Sequence, residues 1–264
     1  MPIAPADLRR QLLAGAPVVS GWCMLPSAAA AELLAAQPFD VLTVDMQHGL
    51  VGYTDALVML QAVGRFGMAT LCRVPWNEPG VIGKVLDAGY DGVICPMVDT
   101  QADAERLVRA CRYPPLGSRS YGPTRARRLH GDGYGASANR HVAVLAMIET
   151  AAGLANLDAI LGVDGIDGVY IGPADLALSL GHAPTLNSSV PEVVNAILHI
   201  GRRARACGKV AGIHCGDGAA TRAKLDEGFN FVALGTDISL LENAVGAQLI
   251  LVRGTGLAQA VGQY

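Results

Sequence analysis

Residues 143–181 read AVLAMIETAAGLANLDAILGVDGIDGVYIGPADLALSLG, and two acidic residues in this stretch stand where predicted strands end. Glu149 closes the first strand, and Asp175 follows the second after the turn Gly172-Pro173-Ala174. One strand–helix–strand unit lies between them, so both carboxylates come to the same edge of a parallel sheet. Each carboxylate could simply cap the helix that follows it. Their joint placement instead favours a pair of ligands for a hard divalent cation that stays open to substrate.

The same alternation of strand and helix runs through the whole chain. Its apolar, β-rich runs are VVSGWCM (18–24), VLTVDMQ (41–47), ATLCRV (69–74), GVICPMV (92–98), AVLAMIE (143–149), GVYIG (168–172), KVAGIHC (209–215) and FVALGTD (231–237). They are continuously apolar, as parallel strands covered on both faces are. With 264 residues, 51% of them hydrophobic, the chain can bury one large core. We therefore predict a single (β/α)8 TIM barrel domain over residues 1–264, with its chemistry at the carboxyl ends of the strands.

Local signals mark several helix ends. Ser27, Thr54 and Thr100 are placed to cap helix N-termini, and Gly89 is placed to end a helix. These caps fall between the predicted strands and support the alternation.

Two segments depart from the short connections elsewhere. Residues 113–141 are rich in Gly and Arg and long enough for a functional lid or an interface loop. Four arginines there could receive a second carboxylate or simply be solvated: Arg119, Arg125, Arg127 and Arg128. The last segment, ISLLENAVGAQLILVRGTG (238–256), is a strongly apolar helix. It could pack on a neighbouring subunit as readily as on its own barrel.

Composition argues against several classes of protein. The net charge of −3 and the lack of a long basic run give no sign of a nucleic-acid partner. The N-terminus carries charges where a secretory signal needs its apolar core, and no run approaches the roughly 20 apolar residues of a membrane span. Six cysteines show no CxxC spacing. We expect a cytoplasmic protein with reduced thiols and no membrane partner.

Two strand ends carry candidate catalytic residues. Strand two ends in Asp45-Met46-Gln47-His48, where His48 can serve as a general base and Asp45 could fix its tautomer. Strand three ends at Arg73, and a buried guanidinium needs an anion or a carbonyl oxygen to answer it. A substrate oxygen is the favoured partner, and an ion pair with Glu149 or Asp175 is the alternative.

The lysines argue against a Schiff-base mechanism. Lys84 and Lys224 lie in helical segments, and Lys209 opens its strand at the opposite end of the barrel. His214 ends strand seven and could line the pocket. No HxxxH or HExxH spacing supports a zinc site.

Six motifs follow one another along the chain: DMQHG, RVPWNEP, ICPMVDT, RYPPLGSRSYGP, MIET and IGPADLALSLG. In this order and spacing, over residues 22–237, they resemble the HpcH/HpaI aldolase family of metal-dependent class II pyruvate aldolases. The resemblance implies a (β/α)8 barrel that reversibly cleaves 4-hydroxy-2-oxo acids into pyruvate, or hydroxypyruvate, and an aldehyde.

The resemblance also implies roles for single residues. Glu149 and Asp175 match the ligands of a Mg²⁺, Mn²⁺ or Co²⁺ ion that chelates the substrate. His48, paired with Asp45, matches the catalytic base. Arg73 matches the arginine that contacts the 2-oxo oxygen and stabilises the enolate.

The turn before Asp175 matches the part of the family's site that holds the substrate carboxylate. Backbone amides around Ala174 and Asp175, after Gly172 and Pro173, would bind it. The resemblance further implies a homohexamer, a trimer of dimers, with the terminal helix exchanged between neighbours.

The chain departs from the family pattern at Gln47, where many members have a glutamate, at Met147, and at His214, where an aliphatic residue is expected. Gln47 cannot ionise, and His214 in place of an aliphatic residue does not predict which aldehyde the pocket accepts. Two rival functions remain: a metal-dependent decarboxylase of oxaloacetate-like 2-oxo diacids, and a non-catalytic barrel that binds a small acid.

Overall fold

All eight predicted strands form, and together they close a barrel. The computed structural model describes residues 2–254. The strands run parallel, each hydrogen-bonded to the next, and the eighth pairs with the first. Their bounds are Val18–Cys23 (β1), Val41–Asp45 (β2), Thr70–Arg73 (β3), Gly92–Cys95 (β4), Ala143–Ile148 (β5), Gly168–Ile171 (β6), Val210–Cys215 (β7) and Phe231–Leu234 (β8). The predicted (β/α)8 barrel is confirmed. The single domain over 1–264 includes Met1 and residues 255–264, which lie outside the described residues.

Helices surround the barrel. Their bounds are Leu8–Ala14 (α1), Ala28–Ala35 (α2), Tyr53–Val63 (α3), Pro79–Ala88 (α4), Gln101–Cys111 (α5), Ala126–His130 (α6), Tyr134–His141 (α7), Ala151–Ala155 (α8), Leu157–Leu161 (α9), Pro173–Ser179 (α10), Pro191–Ala206 (α11), Gly218–Asp226 (α12) and Asp237–Arg253 (α13). Among these described helices, none combines the length and the apolar character needed to cross a lipid bilayer.

Three of the four predicted caps are confirmed. The side chains of Ser27 and Thr100 accept hydrogen bonds from the first turns of α2 and α5, and Gly89 ends α4 with a φ of 106°. The prediction for Thr54 is wrong, because α3 already begins at Tyr53. The carboxylate of Asp55 accepts a hydrogen bond of 3.0 Å from the N–H of Gly52, which places Gly52 at the cap.

Two apolar cores divide the interior. Inside the barrel, large side chains such as Trp22, Tyr170 and Phe231 fill the space between the strands. Leu8 and Leu12 of α1 join this inner core and are fully buried, so α1 closes the amino-terminal end of the barrel. A second, larger core lies between the outer faces of the strands and the helices. At the opposite, carboxyl end, the charged residues Asp45 and Arg73 close β2 and β3.

A polar residue precedes every second strand and ties the amino-terminal end together. These residues are Asp40, Asp91, Asp167 and Asn230, placed immediately before β2, β4, β6 and β8. Each side chain accepts a hydrogen bond of 2.8–2.9 Å from a backbone N–H of the preceding strand, at Val19, Thr70, Val144 and Ala211. Backbone donors at the strand starts are thus satisfied without water.

Residues 113–141 do not form a lid over the catalytic end of the barrel. They connect the end of α5 to the start of β5, which places them at the amino-terminal end, and they contain α6 and α7. Arg119 is buried there, 2.6 Å from an oxygen of Asp87 and over the ring of Tyr113. Arg125 donates to the carbonyl of Ala88. These two arginines serve the packing of this end and cannot reach a substrate at the opposite mouth.

The apolar α13 leaves most of its surface exposed. Its only buried residue is Asp237, whose carboxylate accepts hydrogen bonds from the backbone N–H groups of Met24 and Leu25. Five large apolar side chains of the helix are exposed: Leu241, Val245, Leu249, Leu251 and Val252. Packing against its own barrel therefore does not account for the apolar character of this helix.

Stability should depend on pH through Asp91. Burial raises the pKa of Asp91 to about 7, although hydrogen bonds from Thr70 oppose the shift. Because the folded pKa lies above the unfolded one, the stability that this group contributes is complete below pH 4 and is lost as the pH rises to about 7. We expect Asp91→Asn to raise the unfolding free energy at pH 8 by on the order of 2 kcal/mol, with a smaller gain at pH 5. Urea unfolding at several pH values measures this gain.

Asp167→Asn is the matched control. Asp167 occupies the equivalent position before β6 but pairs with Arg9 and Arg112. Its neutralisation leaves buried positive charge and should lower stability by about 3 kcal/mol. Equal effects of the two substitutions at pH 8 would contradict the assignment of Asp91.

Candidate active site

The strand register places three residues in one layer at the carboxyl end of the barrel. Ile148 of β5 pairs with Ile171 of β6, which pairs with Ile213 of β7. The residues that follow them are Glu149, Gly172 and His214. Glu149 and His214 therefore flank a position without a side chain, where a small molecule can approach the strands.

Glu149 is a buried carboxylate with one oxygen left over. Its side chain is 2% exposed, and Oε1 accepts a hydrogen bond of 2.8 Å from the N–H of Met97. Met97 has a φ of 54°, a left-handed conformation that is uncommon for a residue with a side chain. Oε2 is buried and has no hydrogen-bond partner among the described residues. Such an unpartnered oxygen is costly unless a cation or a donor occupies the site.

The electrostatics of Glu149 favour a positive charge beside it. Burial, with the neighbouring charge of Asp175, raises the pKa of Glu149 to about 7, against a hydrogen bond from Met97 and the positive charge of Arg73. A divalent cation beside the two carboxylates would favour their ionised forms. The carboxylates and the unpartnered Oε2 thus fit a hard cation. In residues 2–254, no group of three or more His, Cys, Asp or Glu side chains is placed to hold a metal ion.

Gly172 makes room for this carboxylate. A Cβ at residue 172 would lie 2.5 Å from Oε2 of Glu149. Pro173 then begins α10, and Asp175 lies exposed in its first turn. The backbone N–H groups of Ala174 and Asp175 belong to the start of this helix, where orphan donors favour an anion.

Arg73 and Asp45 form a buried ion pair across β3 and β2. Arg73 donates from Nε to Oδ1 of Asp45 at 2.8 Å and from Nη2 to Oδ2 at 2.5 Å. Asp45 is fully buried and also accepts from the indole N–H of Trp22 at 3.2 Å. The guanidinium lies 5.1 Å from the ring centre of Trp22. Arg73 therefore pairs with Asp45, and the alternative prediction of an ion pair with Glu149 or Asp175 is wrong.

The expected pairing of Asp45 with the side chain of His48 is absent from the described residues. Asp45 instead accepts hydrogen bonds from the backbone N–H groups of Gln47 and His48, at 3.0 and 3.3 Å. Arg73, Trp22 and these two backbone groups together supply five donors to the Asp45 carboxylate, which leaves no acceptor site for the His48 ring. His48 itself is exposed on the loop after β2. The Oε1 atom of Gln47 is buried and has no hydrogen-bond partner in the described part of the chain.

His214 lies beside aromatic residues inside the mouth. Its ring meets Trp22 edge-on, with 4.8 Å between ring centres, and its Nδ1 is 3.3 Å from the hydroxyl of Tyr170. Tyr170 stacks on Trp22 at 5.5 Å. Burial and the nearby charge of Arg73 lower the pKa of His214 to about 4. The imidazole is therefore neutral at pH 7.

Sequence reasoning missed Trp22, Tyr170 and Met97. Trp22 and Tyr170 lie in the predicted strands, and their inward register was the signal that could have found them. Met97 contributes only a backbone N–H, which no side-chain pattern reveals.

A family model described as HpcH/HpaI aldolase/citrate lyase matches residues 20–244. The chain belongs to this family. The chain is 48% identical over 230 residues to a hydroxypyruvate/pyruvate aldolase of Rhizorhabdus wittichii, a match that covers 87% of the chain and 92% of the relative. It is 35% identical over 244 residues to a 5-keto-4-deoxy-D-glucarate aldolase of Escherichia coli, covering 92% and 94%. A crystal structure of an HpcH/HpaI aldolase/citrate lyase family protein from Burkholderia cenocepacia superposes with a TM-score of 0.88 and 31% identity, covering 94% and 99%.

The sequence-based prediction of an HpcH/HpaI aldolase is thus confirmed. The roles of single residues within that family's reaction stay predictions. Glu149, Gly172, Arg73, Asp45 and His214 do come together at one mouth, as the sequence predicted for strand ends.

Gly172→Ala tests the space beside Glu149. The added Cβ collides with Oε2, so the carboxylate must move, and we expect the affinity for Mn²⁺ to fall by at least about tenfold. Isothermal titration calorimetry measures it. The control is Gly83→Ala in α4, where a Cβ meets nothing within 4 Å. That substitution should leave Mn²⁺ binding unchanged and stabilise the helix by about 0.5–1 kcal/mol. Unchanged Mn²⁺ affinity in Gly172→Ala would argue against the cation position.

Proposed function

We propose that this protein is a metal-dependent class II aldolase that reversibly cleaves 4-hydroxy-2-oxo acids to pyruvate or hydroxypyruvate and an aldehyde. The observation that carries the proposal is the buried, unpartnered Oε2 of Glu149 above Gly172. This oxygen lies in the same mouth as the buried guanidinium of Arg73. Family membership and the aldolase names of the relatives support the reaction class.

Glu149 and Asp175 are the residues that would hold the cation. Both offer carboxylate oxygens, the ligands that Mg²⁺ and Mn²⁺ prefer. A bound Mg²⁺, Mn²⁺ or Co²⁺ would supply positive charge for the oxygen of the 2-oxo group as the C3–C4 bond breaks.

Arg73 is proposed to contact the 2-oxo oxygen of the substrate. Its Nε and Nη2 are held by Asp45, which leaves Nη1 for the substrate and fixes the plane of the guanidinium. A charged donor that is already positioned stabilises developing negative charge without reorganisation. Asp45 would thus act by positioning Arg73.

The start of α10 is proposed to bind the substrate carboxylate. Gly172 and Pro173 lead into the helix, and the N–H groups of Ala174 and Asp175 are among its free donors. The helix N-terminus favours a negative group. The carboxylate and the 2-oxo oxygen would then both lie beside Glu149.

His48 is proposed to take the proton from the C4 hydroxyl during cleavage and to return it during condensation. Its exposed place on the loop after β2, at the carboxyl end of the barrel, supports this role. No partner for its ring is present in the described residues, so any orientation must come from the substrate, a water or another subunit.

We also propose a homo-oligomer, with a hexamer as the sequence resemblance implies. The exposed apolar side chains of α13 support a partner subunit on this helix, because they form a large apolar surface. The cytoplasmic location predicted from the N-terminus remains a prediction.

Substitution of Glu149 tests the proposed function. In Glu149→Gln we expect Mn²⁺ affinity and metal-dependent exchange of the pyruvate methyl protons in D₂O to fall by at least about 100-fold, because a ligand charge is lost. Calorimetry and proton NMR measure the two quantities. Glu105→Gln on the surface of α5 is the control and should behave as the wild type.

The same assay separates the rivals. Retro-aldol cleavage and pyruvate exchange that disappear with chelator support the aldolase. Turnover of oxaloacetate without any aldehyde reaction would favour the decarboxylase. Absence of exchange in the metal-loaded wild type would sink the catalytic proposal.

A double-mutant cycle tests whether Asp45 acts through Arg73 or through His48. Asp45→Asn should lower kcat/KM by loosening Arg73, and His48→Ala should lower it by about 10²–10³-fold through loss of the base. If Asp45 acts through Arg73, the two losses multiply in the double variant. If kcat/KM of the double variant equals that of His48→Ala alone, Asp45 acts through His48, as the sequence predicted. Mn²⁺ affinity close to that of the wild type in both single variants is the control.

A further inference from the structure

His214 presents one hydrogen-bond donor to the mouth of the barrel. Its Nδ1 faces the hydroxyl of Tyr170 at 3.3 Å. Tyr170 is completely buried, and within residues 2–254 its hydroxyl has no other partner. A buried hydroxyl must place its proton on an acceptor, so Tyr170 donates to Nδ1. The proton of the neutral imidazole then lies on Nε2.

Nε2 of His214 is open to the mouth. It makes no hydrogen bond to the part of the chain that the structure describes, and it is not one of the fully buried unpartnered atoms there. The edge-on contact with Trp22 fixes the ring, so the donor has a defined direction. Burial, and after it the charge of Arg73, lowers the pKa of His214 to about 4, so the imidazole is neutral at pH 7.

The layer in which His214 lies places this donor next to the proposed substrate. Gly172 separates Glu149 from His214 on neighbouring strands and has no side chain to fill the gap. In the proposed function, the cation, Arg73 and the start of α10 take the carboxylate and the 2-oxo oxygen. The part of the 2-oxo acid left for His214 is its C3 carbon with whatever that carbon carries.

We infer that His214, with its tautomer set by Tyr170, binds a hydroxyl group on C3 and so selects hydroxypyruvate over pyruvate as the 2-oxo acid. This inference rests on the proposed function for the placement of the acid. A C3 hydroxyl oxygen accepts a hydrogen bond from Nε2–H, whereas the methyl group of pyruvate leaves that donor without a partner. Sites that hydrogen-bond a hydroxyl discriminate against the analogue that lacks it.

The test compares kcat/KM for hydroxypyruvate and for pyruvate with one aldehyde, glycolaldehyde, in the presence of Mg²⁺. We expect His214→Phe, which keeps an aromatic ring against Trp22 but removes the donor, to lower the ratio of the two values by about tenfold. The loss falls on hydroxypyruvate and spares pyruvate. His214→Gln, which keeps an N–H donor, should retain part of the preference. Tyr170→Phe should lower the ratio less than His214→Phe, because the imidazole then populates both tautomers.

The ratio separates recognition from packing, because a purely structural role lowers both values together. An unchanged ratio in His214→Phe, or an equal loss for both acids, overturns the inference. Should that variant fail to fold, an unchanged ratio in Tyr170→Phe overturns it.

Calorimetric binding of each acid to the Mn²⁺-loaded protein gives the same comparison without catalysis. If the wild type cleaves nothing but binds hydroxypyruvate more tightly than pyruvate, and His214→Phe abolishes that difference, the proposed function fails and the role of His214 stands. If the wild type binds the two acids equally, the role of His214 fails whatever the reaction.

Discussion

The buried ion pair between Arg73 and Asp45 is the interaction on which the mouth of the barrel depends. Two opposite charges lie there with almost no solvent, and the geometry is bidentate. Desolvation of each charge alone would cost several kcal/mol, so neither residue is tolerated without the other. The pair also sets its surroundings, because Trp22 donates to Asp45 and lies under the guanidinium. It is therefore the fixed reference for the rest of the site.

A different balance of charge holds at Glu149, which follows β5. This carboxylate is almost as buried as Asp45, but no cationic side chain within residues 2–254 bonds to it. The strained backbone of Met97 supplies one hydrogen bond, and Gly172 leaves space for the second oxygen. Both oxygens of Asp45 are hydrogen-bonded, whereas Oε2 of Glu149 has no partner in the described residues. This contrast fits a site in which a cation binds beside Glu149.

An aromatic pair, Trp22 and Tyr170, connects the Arg73–Asp45 ion pair to His214. Trp22 contacts Arg73 on one side and His214 on the other, and Tyr170 stacks against it. The neutral state of His214 follows from this arrangement, because burial next to a guanidinium disfavours a second positive charge. A histidine at this position thus offers hydrogen bonding without acid chemistry.

The amino-acid sequence by itself determined the barrel and its strands. The reason is that continuous apolar runs and helix caps are local signals, and eight alternations leave one closed parallel arrangement. It also determined that Glu149, Arg73, His48 and His214 reach the same end, since parallel strands all point one way. The motifs also determined the family, because their order and spacing along the chain can be read from the sequence alone.

Only the tertiary structure decided which of these groups are partners. Sequence proximity paired Asp45 with His48, but the lateral register of β2 and β3 brings Asp45 against Arg73 instead. The length of residues 113–141 suggested a lid, but a connection from a helix to a strand must lie at the amino-terminal end, far from the mouth. The sequence predicted Thr54 as a cap, but the cap is Gly52, whose N–H donates to the carboxylate of Asp55. In each case the outcome depended on a contact between groups whose separation in space cannot be read from the sequence. The periodicity that forms strands and helices depends on neighbouring residues and can be read directly.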